Sequence, residues 1–237
     1  MIRKILSIIL LTSIFFLFVL NVDFGSSTSS FTPELITREN GSQNMVSSIV
    51  LDFRLFDTFF EVLVFTIAII GVSFYMEKLP EYKGEDTIVS SPVIQIMTPI
   101  LFQIIVMISL YIALTGHLGP GGGFAAGVMM GTGLIGVSFV KPMDEIEDIF
   151  KKSKIEKFKI LSPLFIIIYG IMGVLWGDAF FANFPFTGKT GELLSGGSAI
   201  LLNFVIGFEV FAGTWTILYK FIKHRGLLWV YIKSFHS

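Results

Sequence analysis

Six mostly apolar runs organise the chain: about Ile5–Leu20, Phe56–Met76, Val93–Thr115, Gly122–Val140, Ile160–Phe181 and Ser198–Phe221. A helix of about 20 residues is about 30 Å long, which matches the hydrocarbon core of a bilayer. Within hydrocarbon each backbone N–H and C=O must be satisfied inside the segment, so the runs read as helices. Composition points the same way: 53% of residues are hydrophobic, 15% are charged, and the mean hydropathy is +0.79. Soluble domains carry about 25% charged residues. The expected fold class is an all-α integral membrane protein with six transmembrane helices, leaving no soluble domain of useful size.

Basic residues set the orientation of such a chain. With the N-terminus in the cytoplasm and six alternating spans, fourteen of the seventeen Lys and Arg residues fall inside. Only Arg38, Arg54 and Lys189 fall outside. Both termini are therefore expected in the cytoplasm, in a multi-pass protein of the cell membrane. The first run follows Arg3 and Lys4, as a signal peptide would, but Asn21, Val22 and Asp23 offer no small-x-small cleavage site. A retained anchor helix is expected, with cleavage near Ser26 as the alternative.

Several classes are disfavoured. The net charge is −1 and the lysines lie beside acids, so there is no nucleic-acid footprint. Zero cysteines exclude disulfides, thiolate metal sites and cysteine-held clusters in this chain. No HExxH and no plausible Ser/His/Asp set is present, so neither a catalytic site nor a cofactor or resident metal is expected. Gly131-Thr-Gly133-Leu-Ile-Gly136 matches G-x-G-x-x-G, but inside a membrane helix with no preceding strand. Lys141–Lys159 reads as a short surface helix, its acids early and its lysines late. The tail after Gly226 reads as an interfacial anchor.

A glycine-rich turn, Leu114-Thr-Gly-His117-Leu-Gly-Pro120-Gly121-Gly122-Gly123-Phe124, separates the third and fourth runs. Pro120 suits the first position of a helix. Gly123, Gly127 and Gly131 recur every four residues and clear one helix face, so a second helix can approach closely. That helix can belong to this chain or to a different one. His117 reads as a turn-stabilising residue or a proton carrier.

Ionisable side chains within membrane spans cost about 2.5–3.5 kcal/mol at the bilayer centre, so they are functional candidates. Asp57 and Glu61 are four residues apart and share a helix face, and Arg54 is placed to pair with Asp57. Two neighbouring carboxylates tend to hold a proton or attract a cation, which makes Glu61 a candidate for transient Na+ contact. The alternative is an Arg54–Asp57 clasp with Glu61 paired to another chain. Glu209 falls near the middle of the last run, about 16 Å from either end. A carboxylate there must be protonated, paired or hydrated. Asn203 and Thr216 lie on nearby turns, and no Lys or Arg of this chain sits at that depth.

Two segments resemble neighbouring pieces of one machine. From about Pro92 to Tyr219 the chain resembles the MrpB-type component of the Mrp-type multisubunit cation/proton antiporters, a four-helix domain. Gly116, His117, Pro120, Gly121, Gly122, Gly123 and Phe124 carry the match. The asparagine that commonly follows the histidine is Leu118 here. From about Thr37 to Gly71 it resembles the C-terminal piece of the large MrpA-type component. That piece also occurs as a small separate subunit in archaeal membrane-bound hydrogenases and sulfur-reducing complexes. The match rests on Glu39-Asn40-Gly41, Asn44-x-Val46 and Asp52-Phe-Arg54-x-Phe56-Asp57-Thr58-x-x-Glu61, with Asn40 in place of a threonine.

The resemblance implies a two-helix segment at residues 1–91 fused to a four-helix domain at 92–237 with a basic tail. It implies a non-catalytic subunit that assembles with other membrane subunits in the lipid bilayer, in a complex exchanging Na+ and H+. It also places the acid matching Glu61 on the sodium path. A scaffold packing between pumping subunits is the structural alternative. A self-contained transporter is disfavoured, because the six runs show no internal repeat.

Overall fold

The computed structural model describes residues 38, 40–81, 91–152, 154–176, 179–184 and 188–224. The first apolar run and the tail after Gly226 lie outside the described residues. The described elements are helical. They are α1 (Met45–Ser48), which widens into a π-turn at Ile49–Phe53, α2 (Leu55–Met76), α3 (Pro92–Thr115), α4 (Gly123–Val137), α5 (Met143–Lys152), a 3₁₀ turn at Ile155–Lys157, α6 (Phe158–Trp176) and α7 (Ala199–Lys223).

Four segments are long and apolar enough to cross a membrane: α2, α3, the 3₁₀ turn with α6, and α7. The fourth expected span is shorter than its apolar run. Helix α4 has 15 residues, about 22 Å. It stops because Ser138 closes the last turn, its hydroxyl donating to the Ile135 carbonyl at 2.6 Å. That bond satisfies one of the carbonyls every helix end leaves over.

Local chemistry sets the other boundaries. Asn44 caps α1, its side chain accepting from the amides of Val46 and Ser47. Arg54 N–H reaches back five residues to the Ile49 carbonyl, and Thr58 Oγ1 donates to the Val50 carbonyl at 2.5 Å. The wide turn is thereby stitched to the start of α2. Pro92 opens α3, where its missing N–H costs nothing. Helix α5 is amphipathic. Asp144 and Glu145 occupy its first turn and Lys151 and Lys152 its last, and Ile146, Glu147 and Phe150 are buried.

Helix α7 is the hub. In its most apolar stretch 56% of residues are buried, against 6% for α3. Leu202, Ile206 and Val210 pack with Leu55 and Val62 of α2 and Ile166 and Tyr169 of α6. Lower down, Phe211, Ala212, Trp215 and Tyr219 pack with Val137 of α4 and Ile146 and Phe150 of α5.

Contacts fix the directions. Bonds from Thr66 to Glu209 and from Lys220 to Glu77 make α2 and α7 parallel. Gly123, Gly127 and Gly131 meet α7 successively at Asn203, Gly207 and Thr214, so α4 also runs parallel to α7. Gly121 against Ile112 and Gly133 against Ile105 make α3 antiparallel to α4. Phe158 stacks on Phe208 and Ser162 bonds Val205, so α6 is antiparallel to α7. Chain direction thus alternates through α2, α3, α4, α6 and α7. One end of the bundle holds Arg54, His117 and Ser198, and the other holds Glu77, Lys151 and Lys220.

The glycine stripe of α4 packs on this chain's own α7. A Cβ on Gly127 would lie 2.5 Å from the Gly207 carbonyl oxygen and 2.7 Å from Val210 Cβ. In lipid, helices gain little from burying apolar surface against each other, so such close backbone approach carries much of the association.

Candidate functional site

The two motif segments meet at the His117 end of the bundle. After α3 the chain must turn, and the carbonyls of the last helical turn need donors. Asn44 Nδ2 donates to the carbonyls of Gly116 at 2.8 Å and Gly119 at 2.7 Å. The Asn44 amide donates to the His117 carbonyl at 2.9 Å, and Ser42 Oγ donates to the same oxygen at 2.7 Å. The Asn-Gly-Ser-x-Asn segment is thus bonded to the backbone of the glycine-rich turn.

Helix α4 begins later than Pro120, at Gly123, because Gly121 and Gly122 must first turn the chain with φ of 154° and 127°. Side chains rarely adopt such angles, and a Cβ on Gly121 would meet Ile112 Cγ2 at 2.6 Å. Pro120 therefore sits in the turn and not at the first helical position. The amide of Gly123 is capped from a different helix, by Asn203 Oδ1 at 2.8 Å. His117 is fully buried. Its carbonyl serves the junction, and its ring nitrogens make no hydrogen bond among the described residues.

Beside this junction Asp52 accepts from Asn40 Nδ2 at 2.6 Å and Asn183 Nδ2 at 3.2 Å. Asn183 Oδ1 in turn accepts from the amide and hydroxyl of Ser198, at the start of α7. This network ties the π-turn, the loop before α7 and α7 itself together. The sequence did not single out Asn183, because a lone asparagine in a loop gives no signal.

Arg54 and Asp57 form the expected ion pair, with Arg54 Nε donating to Asp57 Oδ2 at 2.6 Å. Both side chains are more than half exposed. Glu61 follows one turn later and is also exposed, while the next residue, Val62, is fully buried. Asp57 is thus compensated within the chain. Glu61 projects away from the bundle, on a face that a bilayer or a neighbouring chain would cover.

Glu209 has the opposite setting, with no exposed surface at all. Thr66 Oγ1 of α2 lies 2.7 Å from Glu209 Oε1 and 3.2 Å from the carbonyl oxygen of Lys159. That carbonyl is open to Thr66 because Pro163, four residues on, has no N–H to donate to it. A threonine hydroxyl carries one hydrogen. It either donates to Glu209, or accepts from a protonated Glu209 and donates to Lys159. The partner of Glu209 is therefore a residue of this chain that nothing in the sequence marked. Asn203 turns to Gly123, and Thr216 Oγ1 donates to the Ala212 carbonyl.

At the Lys220 end a polar cavity of about 260 Å³ lies among α2, α5, α6 and α7. Its walls include Ser73, Glu147, Lys159 and Thr216, and its rim includes the Lys220–Glu77 ion pair at 2.9 Å. The hydrogen bond from Lys220 holds the Glu77 carboxyl below its ordinary value. Trp215 Nε1 donates to Glu147 Oε2 at 2.8 Å, which docks α5 under the bundle. Among the described residues no three His, Asp or Glu side chains are grouped to hold a metal ion.

Comparison with known proteins follows the same lines. Over 193 residues the chain is 25% identical to an uncharacterised protein of Methanocaldococcus jannaschii, covering 72% of this chain and 73% of that one. It superposes on a chain of the membrane-bound sulfane sulfur reductase, an archaeal respiratory membrane complex, with a TM-score of 0.66 and 25% identity, over 94% of this chain and 99% of the other. A chain of the Mrp complex from Dietzia sp. DQ12-45-1b has the same fold, with a TM-score of 0.62 and 18% identity, over 94% of this chain and 26% of that one. Residues 93–216, which hold the glycine turn, its α7 contacts and Glu209, match the family of domains related to the MnhB subunit of the Na+/H+ antiporter. The match covers more than half of the chain, and the chain belongs to that family.

Proposed function

We infer that this chain is a non-catalytic membrane subunit of a multisubunit Na+/H+ antiporter module, which it helps both to assemble and to move cations or protons. The module is either free-standing or part of a respiratory complex of the hydrogenase or sulfur-reductase type. The observation that carries the reading is Glu209, fully buried in the middle of a membrane-crossing helix and served by one threonine hydroxyl. Charge is costly at that depth, and acids placed there commonly belong to ion or proton pathways.

The chain spans the plasma membrane six times with both termini in the cytoplasm, which puts the lysine-rich end of the bundle inside. Residues 1–91 form the MrpA-like piece and 92–237 the MrpB-like domain. The bonds from Asn44 and Ser42 to the glycine turn support the two acting as one unit. Glu61 faces a neighbouring membrane subunit, where it contacts Na+.

The test is Na+-dependent proton transport in vesicles carrying the whole complex, with assembly verified on native gels. Glu61→Gln and Glu209→Gln are each expected to lower transport at least tenfold with assembly intact. A purely structural scaffold is the second reading, favoured by the tight α4–α7 packing. It requires full transport from both variants.

A further inference from the structure

We propose that the seam between α2 and α7 is a one-sided proton-access path joining the polar cavity at the Lys220 end to Glu209, and that Ile69 seated on Gly213 is its closure. This rests on Glu209 exchanging protons, as inferred above. It adds the side from which protons arrive and the residues they pass.

The helices run in step along this seam. Thr66 bonds Glu209 and Lys220 bonds Glu77 across the same sequence separation of 143 residues. The same offset sets Ser73 level with Thr216, and both line the cavity. Two turns, about 10 Å, separate that level from Glu209. The side chains of Ile69 and Phe65 fill this interval, packed on Gly213 where any Cβ would collide with them. Lys159 bridges it on α6, with its carbonyl at Thr66 and its side chain in the cavity wall, held by Glu156 at 2.6 Å.

Polar atoms stand ready on both sides of the apolar plug. Ser73 Oγ and Glu209 Oε2 are both buried without a hydrogen bond among the described residues. Toward the other end of the bundle the surroundings change. Leu202, Ile206, Leu55 and Val62 are almost completely buried there, and the hydroxyl of Ser162 is bonded to the Val205 carbonyl. Asn203, also on that side of Glu209, is turned to Gly123 of α4, so along the face of α7 that meets α2 the polar groups lead toward the cavity.

The groups suit a proton. One carboxyl and one hydroxyl in series can pass a proton, the Lys159 carbonyl orienting the hydroxyl, and they do not make a coordination shell. In the release step the O–H bond of Glu209 breaks as Thr66 Oγ1 accepts its hydrogen. The hydrogen that Thr66 carried passes to water admitted from the cavity when Ile69 swings aside. Loading is the reverse, and each cycle moves one proton between cavity water and Glu209.

The chain contains no cysteine, so Ser73→Cys and Thr216→Cys each introduce a single thiol into it. In oriented vesicles holding the whole complex, a membrane-impermeant thiol reagent should modify both thiols from the Lys220 side alone. Ile69→Ala should speed modification of Glu209 by a water-soluble carbodiimide from that side at least tenfold, read by mass on the Glu209 peptide. Thr66→Val should slow proton transport at least tenfold, and Thr66→Ser should restore it. Thiol labelling from the opposite side or from neither, or Glu209 reactivity indifferent to Ile69→Ala, would overturn the path. Normal transport by Glu209→Gln would instead overturn the role of Glu209, whatever the labelling shows.

Discussion

Two glycines of α4 should respond oppositely to the same substitution. At Gly127 an alanine Cβ would lie 2.5 Å from the Gly207 carbonyl oxygen, where ordinary contact begins at 3.4 Å. The obstructing atoms, the Gly207 carbonyl oxygen, Val210 Cβ and the Phe211 amide nitrogen, are backbone or β-carbon, so no rotamer relieves them. The helices must part by about 0.9 Å, the difference between these distances. Overpacking of this kind costs about 1–3 kcal/mol. The same displacement would stretch the 2.8 Å bond between the Gly123 amide and Asn203 Oδ1 beyond hydrogen-bonding range. A buried amide left unpaired adds about 1–3 kcal/mol. Alanine returns about 1 kcal/mol through its better helix propensity, so the net loss is about 1–5 kcal/mol. At Gly136, nine residues on in the same helix, nothing lies within 4 Å of the added methyl. Only the propensity gain of up to about 1 kcal/mol remains. The assay is the temperature at which this chain is lost from the detergent-solubilised complex, read on native gels. Gly127→Ala should lower it and Gly136→Ala should hold or raise it. Equal behaviour of the two variants would refute close α4–α7 approach as the cause.

Three further outcomes follow from the geometry. Asn44→Ala removes the donors to Gly116 and Gly119 and should cost about 1–3 kcal/mol, seen as faster hydrogen exchange across residues 116–123. Glu61→Gln should leave the thermal stability of the chain within about 0.5 kcal/mol of the parent, since the side chain is exposed among the described residues. The carboxyl of Glu77 is held below its ordinary value of 4.5, so the Lys220–Glu77 pair stabilises fully above that pH and weakens as pH falls through the lower folded value. Thermal stability of the parent and of Glu77→Gln should therefore differ near pH 7 and converge as the pH falls below the lowered value of the Glu77 carboxyl.

Much of the fold was legible because a membrane removes alternatives. Runs of apolar residues could only be helices, and the Arg54–Asp57 pair follows from three-residue spacing alone. Glu209 was conspicuous as a charge where none is expected. What stayed hidden depends on register between helices. Thr66 is a neutral residue on one helix, meeting a glutamate on a second and a carbonyl left open by Pro163 on a third. No local pattern places those three together. Both motif segments could be read singly, yet that Asn44 binds the glycine turn depends on how two distant segments dock. The early end of α4 was hidden for a different reason. Phe139 and Val140 are as apolar as the helix, and the Ser138 hydroxyl outweighs them by closing the last turn.

The two acids also differ in what they can share. Glu61 precedes Thr66 by five residues, about 7.5 Å along α2 and about 140° around it. Glu209 lies beyond Thr66 on the inner side of α2, while Glu61 faces outward. The carboxyls are therefore more than about 10 Å apart with the body of a helix between them, and no single ion touches both. If Glu61 contacts Na+ beside a neighbouring chain while Glu209 exchanges protons, their chemistry must be separable. In the intact complex, dicyclohexylcarbodiimide should modify both carboxyls, and high Na+ should protect Glu61 at least tenfold while leaving Glu209 unchanged, with each peptide followed by mass. Protection of both together would mean that the ion reaches Glu209 as well, and the division of labour between the two faces of α2 would be wrong.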